Sequence, residues 1–144
     1  MKILVLNGPN LNLLGTREPE IYGSMTLKEI EAYTKNKLKD ISMDWYQSNL
    51  EGELIEKIQN ADSLGYSAII INPAGYSHTS VAILDALKTF KGLIAEVHLS
   101  NVYKREQFRQ TMLTAQASTI IMGGLSHRVY YQAALALKDI LLNL

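Results

Sequence analysis

Short runs of Ile, Leu and Val recur along this chain, each too brief for a helix and too continuously apolar for a strand with one wet face. Residues 2–7, 67–72, 93–98 and 118–122 are such runs, and a more polar fifth lies at 43–47. Strands apolar on both faces must be covered on both faces, as in a parallel sheet between two layers of helices. The polar fifth run is expected nearer a sheet edge. Helical signals fill the intervals. Thr26-Leu27-Lys28-Glu29 has the spelling of a capping box, followed by apolar Leu27, Ile30, Leu38 and Ile41 at roughly helical spacing. Leu54, Ile55, Ile58, Ala61 and Leu64 form a second stripe that stops at Gly65. A third helix is expected over 79–91, closed by Gly92, a short one over 103–110, and a long apolar one from about Arg128 onward. Five βα units in succession imply right-handed crossovers and an α/β fold, a three-layer doubly wound five-stranded parallel sheet. At 144 residues the chain has the size of one domain, 1–144, with no internal repeat or linker.

Composition narrows the function. The 14 basic and 14 acidic side chains cancel, and no basic stripe marks a nucleic-acid surface. A small anionic ligand needs only a few local donors and remains compatible. With no cysteine, disulfides, thiolate metal sites and a Cys nucleophile are excluded. The apolar run at 3–6 is too short for a signal peptide's core, and nothing reaches the ~18–20 residues of a membrane span. A cytoplasmic location is expected.

Ligands of doubly wound sheets bind beyond the carboxyl ends of the strands, which directs attention to 7–22, 72–79, 98–109 and 123–128. The first of these is long for a βα connection, which usually takes about 2–6 residues. Leu11, Leu13 and Leu14 would pack part of it down, as in a lid, although an irregular surface loop fits the same composition. Within it, Arg17 and Tyr22 can approach each other. A phenol's reference pKa is about 10, and bringing one to roughly 7 demands about 4 kcal/mol of differential stabilisation. One exposed arginine rarely supplies that, so a second cation, Arg105 or Arg109, and exclusion of water would be needed.

After the third strand, Asn72 sits at the carboxyl end and Thr79 or Ser80 can cap the next helix, whose free N–H groups favour an anion. His78 could donate to a hydroxyl or serve only the capping turn. Along the fourth strand, Glu96 and His98 point the same way. Such a pair fixes an imidazole's tautomer and suits a general acid, and it also occurs as a purely structural buried pair. His78, His98, Glu96 and Asp85 are conceivable metal ligands, but no ligand spacing of the H-E-x-x-H kind is present and no metal is expected.

These loops resemble, in order, those of the type II 3-dehydroquinate dehydratases. The matching segments are 7–22 (NGPNLNLLGTREPEIY), 47–55 (QSNLEGELI), 72–86 (NPAGYSHTSVAILDA) and 96–109 (EVHLSNVYKREQFR). The resemblance implies a flavodoxin-like fold and cofactor-free anti elimination of water from 3-dehydroquinate through an enolate, a step of the shikimate pathway. It implies Tyr22 as the base at C2 with Arg17 favouring its phenolate, and His98, oriented by Glu96, as the acid at the C1 hydroxyl. Asn10 would position a water near the enolate oxygen, and Arg105 would add positive field. Asn72 and the N–H groups of Leu99 and Ser100 would hold the carboxylate, and His78 and Arg109 the ring hydroxyls. Asp85 corresponds to a residue that reaches a neighbouring subunit's site in a homo-oligomer of trimers forming a dodecamer; as a plain sequence position it is a solvated residue on a helix's polar face. From Gln110 to Arg128 the sequence departs from the family's usual pattern, in a segment that holds none of these catalytic residues. A flavin protein of the same fold would carry a phosphate loop rich in Ser, Thr and Gly, which 10–14 is not. A phospho-receiver would carry acidic residues where Asn7 and Asn72 stand.

Overall fold

The computed structural model describes residues 1–143. Its sheet runs β1 (Lys2–Asn7), β2 (Ser42–Gln47), β3 (Ala68–Asn72), β4 (Leu93–His98) and β5 (Ile120–Gly123) in sequence, with spatial order β2-β1-β3-β4-β5. Every neighbouring pair is parallel. Successive strand residues alternate between two apolar layers. Ile3, Val5, Ile70 and Val97 face α2 (Leu27–Lys37) and α5 (Val129–Leu142), meeting Ile30, Ala133 and Leu137. Leu4, Leu6, Ile69 and Ile71 face α3 (Glu51–Asn60) and α4 (Val81–Leu87), meeting Leu54, Ile58, Ile83 and Leu87. Each fully buried aliphatic side chain contributes roughly 1.5–3 kcal/mol, so the two layers hold the sheet from both sides. The polar run is indeed the edge strand β2, where Met43 is the buried residue.

Several helix bounds differ from those read in the sequence. Thr26 and Glu29 form the expected reciprocal cap, but α2 stops at Lys37. Leu38 and Ile41 still bury in the same layer from the turn that follows, which is why they extended the apolar pattern. The second stripe ends early too, leaving Leu64 57% exposed in a turn before Gly65 at φ +80°. The third helix shrinks to α4, because Ser80 is extended and caps its start and residues 88–89 form a turn at its end. No α-helix forms over 103–110. Two 3-10 turns, Val102–Lys104 and Gln107–Gln110, stand there, separated by the extended backbone of Arg105. The last strand starts two residues later than expected, since Ser118 closes the preceding 3-10 turn. Among the described residues, no helix is long and apolar enough to cross a membrane.

Candidate active site

β1 and β3 are neighbours, yet the chain leaves β1 toward α2 on one layer and β3 toward α4 on the other. Connections that diverge in this way open a crevice at the strands' carboxyl ends. Gly8 lets the two strand ends close beneath it. Its N–H donates to the Asn72 carbonyl at 2.8 Å, and a Cβ there would stand 2.4 Å from the Pro73 oxygen.

The crevice holds a cavity of about 140 Å³. The first loop lines it with Asn10, Arg17 and Tyr22, the end of β3 with Asn72, and the loop beyond with His78. His98, Leu99, Ser100, Arg105 and Arg109 come from the end of β4 and the turns beyond. Glu96 lies beneath His98, and Asp85 stands exposed on α4, away from the cavity wall.

The first loop owes its shape to a few strained or apolar positions. Leu11 and Leu14 are buried as anchors, whereas Leu13, expected to pack with them, is 48% exposed. Asn10 adopts φ +70° while its N–H donates to the Asn49 side chain. A single helical turn, α1 (Pro19–Tyr22), then begins with Pro19 and ends at Gly23, φ +86°, leaving Tyr22 turned inward and 9% exposed. Two guanidinium carbons stand against its ring, that of Arg17 at 4.9 Å and that of Arg105 at 5.1 Å from the centroid. The second cation is therefore Arg105. Arg109 lies over Phe108 and pairs with Glu106, holding that carboxyl below the ordinary glutamate range. Arg105 Nε is buried with no hydrogen-bond partner among the described residues, a donor available to an anion.

Glu96 is wholly buried, and a buried carboxylate is tolerable only when its oxygens are satisfied. Ser77 donates to it at 2.7 Å, Thr114 donates to its other oxygen, and His98 Nε2 lies 2.8 Å away. A carboxylate partner places the hydrogen on Nε2, so Nδ1 is the nitrogen of His98 left for a ligand. One ring nitrogen of His78 is already engaged. Its Nδ1 donates to the Thr111 carbonyl at 2.8 Å, and burial first, then the nearby His98 and Arg109, push its pKa down. In its neutral form His78 therefore carries its lone pair on Nε2, where it can accept a hydrogen bond. The start of α4, where Ser80 caps the Ile83 N–H and donates to Glu51, contributes no residue to the cavity wall.

Reading the sequence missed the hydroxyls that hold the site. Thr114 and the Thr111 carbonyl come from the segment that departs from the family pattern, so that segment does reach the chemistry. Asn7, Tyr130 and Asn72 form a buried chain that ends at the cavity wall. Their separations in sequence follow no helical or strand period, so no local signal marks them. Among the described residues no three His, Cys, Asp or Glu side chains gather as metal ligands.

With this geometry in hand, comparison with known proteins is specific. The family model for class II dehydroquinases matches residues 1–138. The chain belongs to the class II dehydroquinase family. The match runs beyond the loops that carry the resemblance and includes the atypical segment. The 3-dehydroquinate dehydratase of Clostridium botulinum (strain Hall) is 50% identical over 144 residues, covering 99% of this chain and 95% of the relative. That of Bartonella henselae is 54% identical over 136 residues, covering 92% and 90%. The crystal structure of the type II dehydroquinase from Butyrivibrio crossotus superposes with a TM-score of 0.93 at 42% identity, covering 96% and 97%. This dehydroquinase is therefore an enzyme of the hydro-lyase class with the flavodoxin-like sheet of its family.

Proposed function

We propose that this dehydroquinase removes water from 3-dehydroquinate by anti elimination through an enolate, giving 3-dehydroshikimate, with Tyr22 as base and His98 as acid. The observation that carries this reading is one cavity walled by both a phenol bracketed by two guanidinium groups and an imidazole tied to a buried carboxylate. Tyr22 follows β1 and His98 ends β4, with β3 between them. Both residues wall the same cavity of about 140 Å³, where a ring held between them would face the phenol and the imidazole.

Tyr22 takes the C2 proton, and the electrons of that bond move into the adjacent carbonyl to form an enolate. Arg17 and Arg105 keep positive charge beside the phenolate, and a water positioned by Asn10 donates to the enolate oxygen. Donors placed where negative charge develops lower such a barrier without a metal or imine. His98 then gives its Nδ1 proton to the C1 hydroxyl, which departs as water as the enolate collapses. Glu96 orients the ring and balances its charge. Asn72 with the N–H groups of Leu99 and Ser100 binds the carboxylate. Arg109 donates to one ring hydroxyl, and His78 accepts from another. The protein acts in the cytoplasm as trimers assembled into a dodecamer, Asp85 reaching the site of a neighbouring subunit.

The test is a spectrophotometric assay of enone formation from 3-dehydroquinate by the purified protein, with and without chelator and borohydride. Turnover indifferent to both additives is expected. Absence of turnover would overturn the substrate, and inactivation by borohydride would overturn the enolate route in favour of an imine.

A further inference from the structure

Tyr130 is completely buried in α5, its ring against Trp45 with centroids 4.9 Å apart. Its hydroxyl is held between two asparagines at the carboxyl ends of adjacent strands. It donates to Asn7 Oδ1 at 2.6 Å and accepts from Asn72 Nδ2 at 3.1 Å. The direction of both bonds follows from the backbone groups at the ends of this chain. Asn7 Nδ2 faces the Tyr46 carbonyl, which can only accept, so Asn7 presents its oxygen to Tyr130. Asn72 Oδ1 faces the Ala74 N–H, which can only donate, so Asn72 presents its amino group to Tyr130. The polarity therefore runs one way from the β2 edge to the cavity, and the Asn72 amide has one rotamer that satisfies it. In that rotamer Asn72 keeps one Nδ2 hydrogen without an acceptor among the described residues, and Asn72 lines the cavity.

We propose that Tyr130 is a positioning residue for the substrate's carboxylate, locking the Asn72 amide with an N–H, rather than its carbonyl, toward the cavity. The inference rests on the reading in which Asn72 binds that carboxylate. Were the amide to turn over, its oxygen would face an anion, and the Ala74 N–H, on a residue held at φ +53°, would lose its acceptor. Burial pushes the Tyr130 hydroxyl far above the ordinary phenol range, so it stays protonated and the relay keeps its polarity across the working pH range. Nothing in Tyr130 touches a reacting atom. Its effect passes through Asn72.

Steady-state kinetics on 3-dehydroquinate with Tyr130→Phe, Asn72→Ala and the double variant test this, with thermal denaturation to verify folding. The ring and its packing survive in Tyr130→Phe. KM is expected to rise about tenfold, the loss of roughly one hydrogen bond, with kcat within about twofold. A carboxylate contact made equally in ground and transition states moves KM alone, whereas a general loosening of the core would lower kcat and melting temperature without that split. In the Asn72→Ala background, removing the Tyr130 hydroxyl should raise KM no further. Should Tyr130→Phe not fold, Asn7→Ala keeps the phenol and frees its hydroxyl to donate toward Asn72, and the same rise in KM is expected. An unchanged KM in the folded Tyr130→Phe or Asn7→Ala protein, or additive effects in the double variant, would overturn the proposal. No effect of Asn72→Ala on KM would overturn its premise, and no turnover by the unsubstituted protein would overturn the substrate assignment itself.

Discussion

The base proposed here is a phenol, and Tyr22 is buried with the guanidinium groups of Arg17 and Arg105 against its ring. At the acid end the same logic works through satisfaction of a buried anion. Glu96 accepts from Ser77 and Thr114 as well as facing His98, and an amide in its place would turn an N–H toward one of these donors. Glu96→Gln is expected to lower kcat by roughly 10²–10⁴-fold, the range general acid catalysis supplies, and to destabilise the fold by about 1–3 kcal/mol. Steady-state rates and chemical denaturation measure the two effects. His78 makes a pH prediction. Its pKa is lower in the folded protein than its ordinary value of 6.5, so between those two values the unfolded chain binds more protons. Stability should be full above about pH 6.5 and decline as pH falls toward the folded value. Melting curves from pH 7.5 to 5 for the protein and for His78→Gln should converge on the acid side.

The carboxyl-terminal ends of β1 and β3 come together only because Gly8 lacks a side chain. Gly8→Ala would push a methyl group into the Pro73 carbonyl, and a loss of about 1–3 kcal/mol is expected from the shift in denaturation midpoint. The strands were legible in sequence because both faces of each central strand are buried, which leaves an unbroken apolar run. The helix ends were less so. Leu38 and Ile41 reach the core from a turn, and burial rather than helical backbone is what apolar spacing records. Site residues on the loops could be located because doubly wound sheets put their ligands there, and Glu96 with His98 because a two-residue offset keeps both on one face. Ser77 and Thr114 could not. They lie 19 and 18 positions from Glu96, brought to it by the packing of separate 3-10 turns, and no local spacing encodes that meeting. Tyr130, 58 positions from Asn72, lies in the long apolar last helix, and no local spacing encodes its meeting with Asn72.

At the scale of the whole molecule, the crevice between the two helical layers brings Tyr22 and His98 to one cavity, while Asp85 is exposed on α4 and does not line it. If Asp85 completes a neighbour's site, light scattering should give a mass that is a multiple of three chains. A monomeric mass together with full activity would contradict that role. The central claim is that elimination begins with proton removal by Tyr22, and the most direct test is the turnover of Tyr22→Phe on 3-dehydroquinate beside the unsubstituted protein. Phenylalanine keeps the ring that packs between Arg17 and Arg105 and deletes only the oxygen. A fall in kcat of roughly 10²–10⁴-fold with KM changed only a few-fold is predicted. Turnover retained within a few-fold of the unsubstituted protein would contradict it.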